Sequence, residues 1–226
     1  MLTHPRTVLD NELNALRDNI LRLSSMVDAA IDQAMAALDA RDANLANQVI
    51  HNDQETNLLR YTIEEDSLRL IATQQPAARD LRRVIAAIHL AVEFERIGDH
   101  AVSIARLVER LENEDEIDSL HKLPKMAKRA RQMLQEATEA YIEHDPEKAH
   151  SIIKRDDKID KQYRKLFRET LKEMRDDDYI RRATYLLFVG HSLERIGDRA
   201  TNIAERVVFM ATGEYIEIAD LIDSDD

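Results

Sequence analysis

The chain has 226 residues, 44% of them hydrophobic, with four Gly, four Pro, no Cys and a formal net charge of −12. That length can fill one sizeable core or two small domains, and the absence of cysteine excludes disulfides, thiolate nucleophiles, iron–sulfur clusters and Cys-type zinc sites. The negative charge repels phosphate backbones and anionic lipid, which argues against nucleic acid and direct membrane attachment as primary partners and in favour of cations.

Aromatics are 4% of the chain, and the abundance of Ala, Leu, Ile, Arg, Glu and Asp is the composition of long helices, so an all-α fold is expected. From Leu9 to about Ala40 the residues Leu9, Leu13, Leu16, Ile20, Leu23, Val27, Ile31, Met35 and Leu38 step by three or four, which is one helical stripe. A second periodic stretch takes in Leu45, Val49, Ile50, Leu58, Tyr61, Ile63, Leu68 and Ile71, and stops at Gln74-Gln75-Pro76, because proline lacks the backbone donor a helix needs. The third helix is predicted from about Ala77 to Leu111.

Residues 113–123, charged and aperiodic just ahead of Pro124, read as a linker. Helix four follows from about Lys125 to Glu143, His144-Asp145-Pro146 makes a turn, and helix five runs from about Glu147 to Met174. After the break at residues 175–178, helix six runs to Thr212, ahead of Gly213 and an acidic tail. No run approaches the ~20 apolar residues needed to span a bilayer, and the start MLTHPRTVLDNEL lacks the apolar core of a signal peptide. A cytoplasmic protein is expected.

The halves repeat each other. ERIGD occurs at residues 95–99 and again at 194–198, and nine of the fourteen positions 95–108 are identical to 194–207. A second alignment places Asp42 on Asp145, Ile50 on Ile153, Asp53 on Asp156 and Asn57 on Asp160. The order is the same in both halves, which indicates a duplicated unit: residues 1–112 and 124–213 form two pseudo-symmetric antiparallel three-helix bundles, with 214–226 as a tail.

At about 100° per residue, Glu194, Asp198, Asn202 and Glu205 share one helical face and offer oxygen on nearly every turn. Carboxylates at i and i+4 repel, and a solvated ion-pair face gives no reason to keep the same repelling pair in both halves. A hard cation removes the repulsion and takes oxygen from more than one helix. Asp53 with Asn57, and Asp156 with Asp160, supply a second pair on the second helix of each unit. Gly98 and Gly197 read either as close backbone approach beside the carboxylates or as helix packing. Arg96 and Arg195 read either as partners that hold a carboxylate or as surface ion pairs. His89, His100 and His191 have no repeat counterparts, and His191, one turn before Glu194, is the best ligand candidate among them.

With duplicated three-helix units and ERIGDHAVSIAR answered by ERIGDRATNIAE, the sequence resembles the PhoU family from Leu9 to Thr212. That resemblance implies a cytoplasmic regulator instead of an enzyme, one that damps phosphate uptake and the phosphate-starvation response. The implied partners are the ATPase of the phosphate ABC transporter and a sensor histidine kinase, with contact to the membrane only through them. It also implies a homodimer and metal clusters of Fe, Zn, Mn or Mg ions on Glu95 and Asp99, and on Glu194, Asp198, Asn202 and Glu205, with Asp53, Asp156 and Asp160 from the second helices. The first copy departs from the fuller pattern by carrying Ser103 and Arg106 where the second has Asn202 and Glu205. The rival reading is a di-metal carboxylate enzyme or iron-storage bundle, which needs Glu-x-x-His on two helices. One such element is present, Glu147 to His150, and its first-half counterpart lacks it.

Overall fold

In a computed structural model, residues 5–111, 122–155, 157–174 and 177–216 are described. They form α1 (Pro5–Ala40), α2 (Ala43–Gln74), α3 (Ala78–Leu111), α4 (Leu123–Glu143), α5 (Pro146–Ile153), α6 (Asp157–Glu173) and α7 (Asp177–Thr212). No strand occurs among the described residues. The six predicted helices are all present, the fifth as two segments, α5 and α6. At their junction Arg155 N–H bonds the Ile152 carbonyl at 2.9 Å and Lys158 N–H bonds the Arg155 carbonyl at 3.1 Å, so tight three-residue turns replace the α-helical ladder there. Most of the predicted linker and the acidic tail beyond residue 216 lie outside the described residues.

The aligned aspartates Asp42 and Asp145 have the same local job. Asp42 accepts from the backbone N–H of Asn44 and Leu45 at the start of α2, and Asp145 accepts from Lys148 N–H at the start of α5, with Pro146 at the first helical position. Each satisfies donors that a helix start leaves orphaned. At the other end of α2, Gln75 adopts φ 48° and ends the helix ahead of Pro76.

Helices α1, α2 and α3 pack on one another, as do α4, α5, α6 and α7, and the halves meet where α3 lies along α7 and α1 along α4. The α3–α7 pair is antiparallel: Arg82 reaches the Met210 carbonyl, and Glu93 meets Arg199 and Asn202. Across the α1–α4 seam, Ser24 and Thr138 share a buried 2.8 Å hydrogen bond, and Arg131 grips Asp28 through two donors at 2.8 and 3.0 Å. One continuous apolar core runs through both halves, from Ile20, Leu23, Phe94 and Ile97 to Leu134, Leu193 and Ile196. The pseudo-symmetric units therefore share a single interior.

On α1 the predicted stripe is the buried one, from Leu9 to Leu38, with Met35 packed against it. On α2 the buried line is Ala46, Val49, Thr56, Leu59, Ile63, Ser67 and Leu70, which includes the predicted Val49 and Ile63, and the predicted Leu45, Ile50 and Ile71 pack against it. Leu58, Tyr61 and Leu68 from the predicted periodic stretch face outward, at 61–68% exposure. This helix has apolar residues on two faces, and its small polar residues Thr56 and Ser67 sit in the seam because they let α2 approach closely.

Phe94, fully buried immediately before the first motif, should be among the costliest positions to truncate. Phe94→Ala is expected to lower the unfolding free energy by about 3–5 kcal/mol, read from urea denaturation, with the unfolding slope unchanged.

Candidate metal centre

Both motifs sit mid-helix on α3 and α7, which form the larger of the two contacts between the halves and also pack within their own units. Two faces of each are thereby covered, and the motif carboxylates emerge along the edge that meets α2 or α6. In the second half, Asp160 on α6 faces Glu194 and Asp198 on α7, and one oxygen of each lies within 4.8 Å of the others. Among the described residues this is the one group of three potential ligands that closes to that spacing.

Its oxygens are short of partners. Arg195 donates to Asp198 at 2.8 Å but stands 3.7 Å from Glu194, and His191 Nδ1 stands 3.4 Å from the same Glu194 oxygen. That buried oxygen and Oδ1 of Asp160 both lack a hydrogen bond. Burial, and next the Asp198 charge, push the carboxyls of Glu194 and Asp160 above their usual range. Partly buried, mutually repelling carboxylates with orphaned oxygens are the donor set a hard divalent cation accepts, so the residues fit a metal ion. The Tyr163 ring, 5.9 Å from that of His191, covers one side.

The first half places Asp53, Glu95 and Asp99 together without closing to the same spacing. Burial and then Asp99 raise both Asp53 and Glu95, while Asn57 donates to Asp53 at 2.8 Å and Arg106 draws on it from α3. Gly98 has a clear reason here: a Cβ would lie 3.1 Å from Asp53 Oδ1 and 3.4 Å from Thr56, so only glycine leaves the Asp53 carboxylate undisturbed against α3.

The oxygen stripe on α7 divides between two neighbours. Asn202 Nδ2 donates to Glu93 on α3 at 3.2 Å, beside Arg199 at 3.3 Å, and Glu205, raised chiefly by burial, also feels Glu93. Asn202 and Glu205 therefore belong to the α3–α7 contact, away from Asp160. Asp156 lies outside the described residues. Glu93 was missed because it lies two residues before Glu95 on another helical face, and its repeat counterpart is Ser192. His100 sits where α3 crosses α7; burial first, then Arg199, His191 and neighbouring arginines, push its imidazole down to about 4. Glu147 and His150 on α5 join no group of three potential ligands among the described residues.

The PhoU domain family model matches residues 20–108 and 123–207. The chain is 36% identical over 217 residues to a phosphate-specific transport system accessory protein PhoU homolog of Clostridium acetobutylicum, covering 95% of this chain and 99% of that protein. It is also 36% identical over 218 residues to the Caulobacter vibrioides homolog, covering 96% of this chain and 95% of that one. The crystal structure of PhoU from Pseudomonas aeruginosa superposes with a TM-score of 0.86 at 33% identity, over 91% of this chain and 99% of that one. The phosphate transport system regulatory protein PhoU from Streptococcus pneumoniae gives 0.87 at 33% identity, over 92% and 99%.

A carboxyl with a raised pKa holds its proton more tightly folded than unfolded. The metal-free protein therefore gains stability from Glu194 and Asp160 as pH falls into the window between the ordinary and raised values, and loses it as pH rises through that window. In chelator, Glu194→Gln is expected to exceed wild type by about 0.5–1 kcal/mol at pH 7 after allowance for solvent screening, the gap closing below the ordinary carboxylate range. Urea midpoints across pH measure this. The His100 ring signals should titrate in NMR near pH 4 instead of 6.5.

Proposed function

The chain belongs to the PhoU family, and from that premise we propose that it restrains phosphate uptake and phosphate-starvation signalling through protein contacts, catalysing no reaction of its own. The observation that supports this best is that relatives named as accessory proteins of phosphate-specific transport align over 95–96% of the chain, both halves included. Its partners are the ATPase of the phosphate transporter and a sensor histidine kinase. It works in the cytoplasm as a homodimer and meets the membrane through those partners; no helix among the described residues is long and apolar enough to cross one.

Asp160, Glu194 and Asp198 hold a divalent or iron-type ion, with Asp53, Glu95 and Asp99 as a weaker site that Arg106 opposes. Asp156, Asn202 and Glu205 are the further oxygens on which a larger cluster would draw. A bound ion supplies the positive charge that cancels the carboxylate repulsion. This chain's own residues do the rest: Arg195 orients Asp198, and Gly98 makes room for Asp53. Tying α6 to α7 and α2 to α3 in this way makes the outer helices' positions depend on metal.

Two measurements check the proposal. Protein prepared without chelator or affinity metal should carry bound metal by elemental analysis, and Glu194→Ala or Asp198→Ala should lose most of it; metal-free wild type would refute the metal sites. Pull-downs from phosphate-replete and phosphate-starved cells should recover transporter or kinase components in at least one state. Recovery in neither state would refute the regulatory reading.

A further inference from the structure

We propose that the outer face of α6 is a docking surface for an acidic segment of a partner protein carrying apolar side chains, an inference that rests on the reading of this chain as a regulator acting by contact. The helix carries Lys158, Lys161, Arg164, Lys165, Arg168 and Lys172, all exposed, in a chain whose net charge is −12. At helical pitch these six cations cover an arc of about 120°. Lys161 pairs with the exposed Asp157 and the Arg164 charge acts on Asp160 one turn away, while Lys165, Arg168 and Lys172 remain exposed on the open side of the helix.

At the edge of this arc, apolar side chains are left in water. Phe167 is 41% and Leu171 50% exposed, and Ile180 on the adjacent α7 is 41% exposed. A groove of about 650 Å³ opens there, lined by Lys161, Tyr163, Arg164, Phe167 and Arg168. The surface exists because Gly190 lets α6 lie close on α7: a Cβ there would stand 2.5 Å from Leu166 Cδ2. Meanwhile α6 meets α4 only lightly, leaving its far side uncovered among the described residues.

An exposed apolar patch rimmed by one sign of charge marks an interaction site, and the sign names the partner's chemistry. A concave groove takes inserted Leu or Phe side chains, while Asp and Glu beside them meet the exposed lysines and arginines of α6. A flat anionic lipid surface would leave the groove unfilled and would repel the rest of the chain, and duplex nucleic acid meets the same repulsion without supplying apolar groups.

The test uses the full chain and a fluorescent 18-residue amphipathic peptide with Glu and Asp on one face and Leu and Phe on the other. Fluorescence anisotropy should show saturable binding that weakens with salt, and no binding of the same peptide with Lys in place of its acids. Lys165→Glu with Arg168→Glu, and separately Phe167→Ser with Leu171→Ser, should each weaken it about tenfold or more, with circular dichroism and thermal midpoint unchanged, since these side chains lie outside the core. The proposal is overturned if the acidic peptide fails to bind, if the basic one binds equally, or if neither variant matters. It is also overturned if vesicles rich in anionic phospholipid, duplex DNA or the 214–226 peptide of this chain compete more tightly at the same residues, or if sedimentation shows a dimer that the same variants dissolve. The pull-downs above do not depend on this face, so its failure leaves the regulatory reading standing.

Discussion

The antiparallel packing of α3 against α7 is the constraint from which the rest of this molecule follows. Each of these helices must bury one face in its own three-helix unit and another against the opposite half, and the apolar positions Phe94, Ile97, Leu193 and Ile196 are fully buried in doing so. Little more than one edge of each helix remains, and both motifs place their carboxylates along it. The same crossing creates the Glu93–Arg199–Asn202 contact and encloses His100 among arginines.

Keeping carboxylates in such an edge costs electrostatic energy, because partial burial removes water from groups of like charge. In the second half Arg195 offsets part of this cost at Asp198, but Glu194 and Asp160 each keep an orphaned buried oxygen. In the first half Asn57 and Arg106 compensate part of it. The two halves thus share a backbone plan and differ in how strongly they call for an added cation. The strain lies between the central helices and the outer ones, α2 and α6, so any ion held there would bear on how firmly the outer helices are seated, and α6 is also the helix with the basic, apolar outer face.

Legibility varied with the physics behind each feature. Helix ends marked by Pro76, Pro146 and Gly213 were readable because backbone chemistry decides them locally. The stripe of α1 was readable because its apolar residues lie on one face only. The stripe of α2 was readable only in part, at Val49 and Ile63, since Leu58, Tyr61 and Leu68 compete with Leu59 and Leu70, and only the neighbouring helices choose between them. The break between α5 and α6 likewise depends on turn hydrogen bonds from Arg155 and Lys158 that no hydrophobic period announces.

What the sequence by itself determined is the all-α class, the duplication, and the identity of Glu95, Asp99, Glu194 and Asp198 as carboxylates set one turn apart, because these are matters of composition and period along a single chain. What only the tertiary structure decided is partnership: that Asp160 joins Glu194 and Asp198, that Asn202 and Glu205 turn instead toward Glu93, and that Gly98 makes room for Asp53. Helical pitch places side chains around an axis, but which of them meet depends on where the neighbouring axes lie, and that is set by burying the shared core.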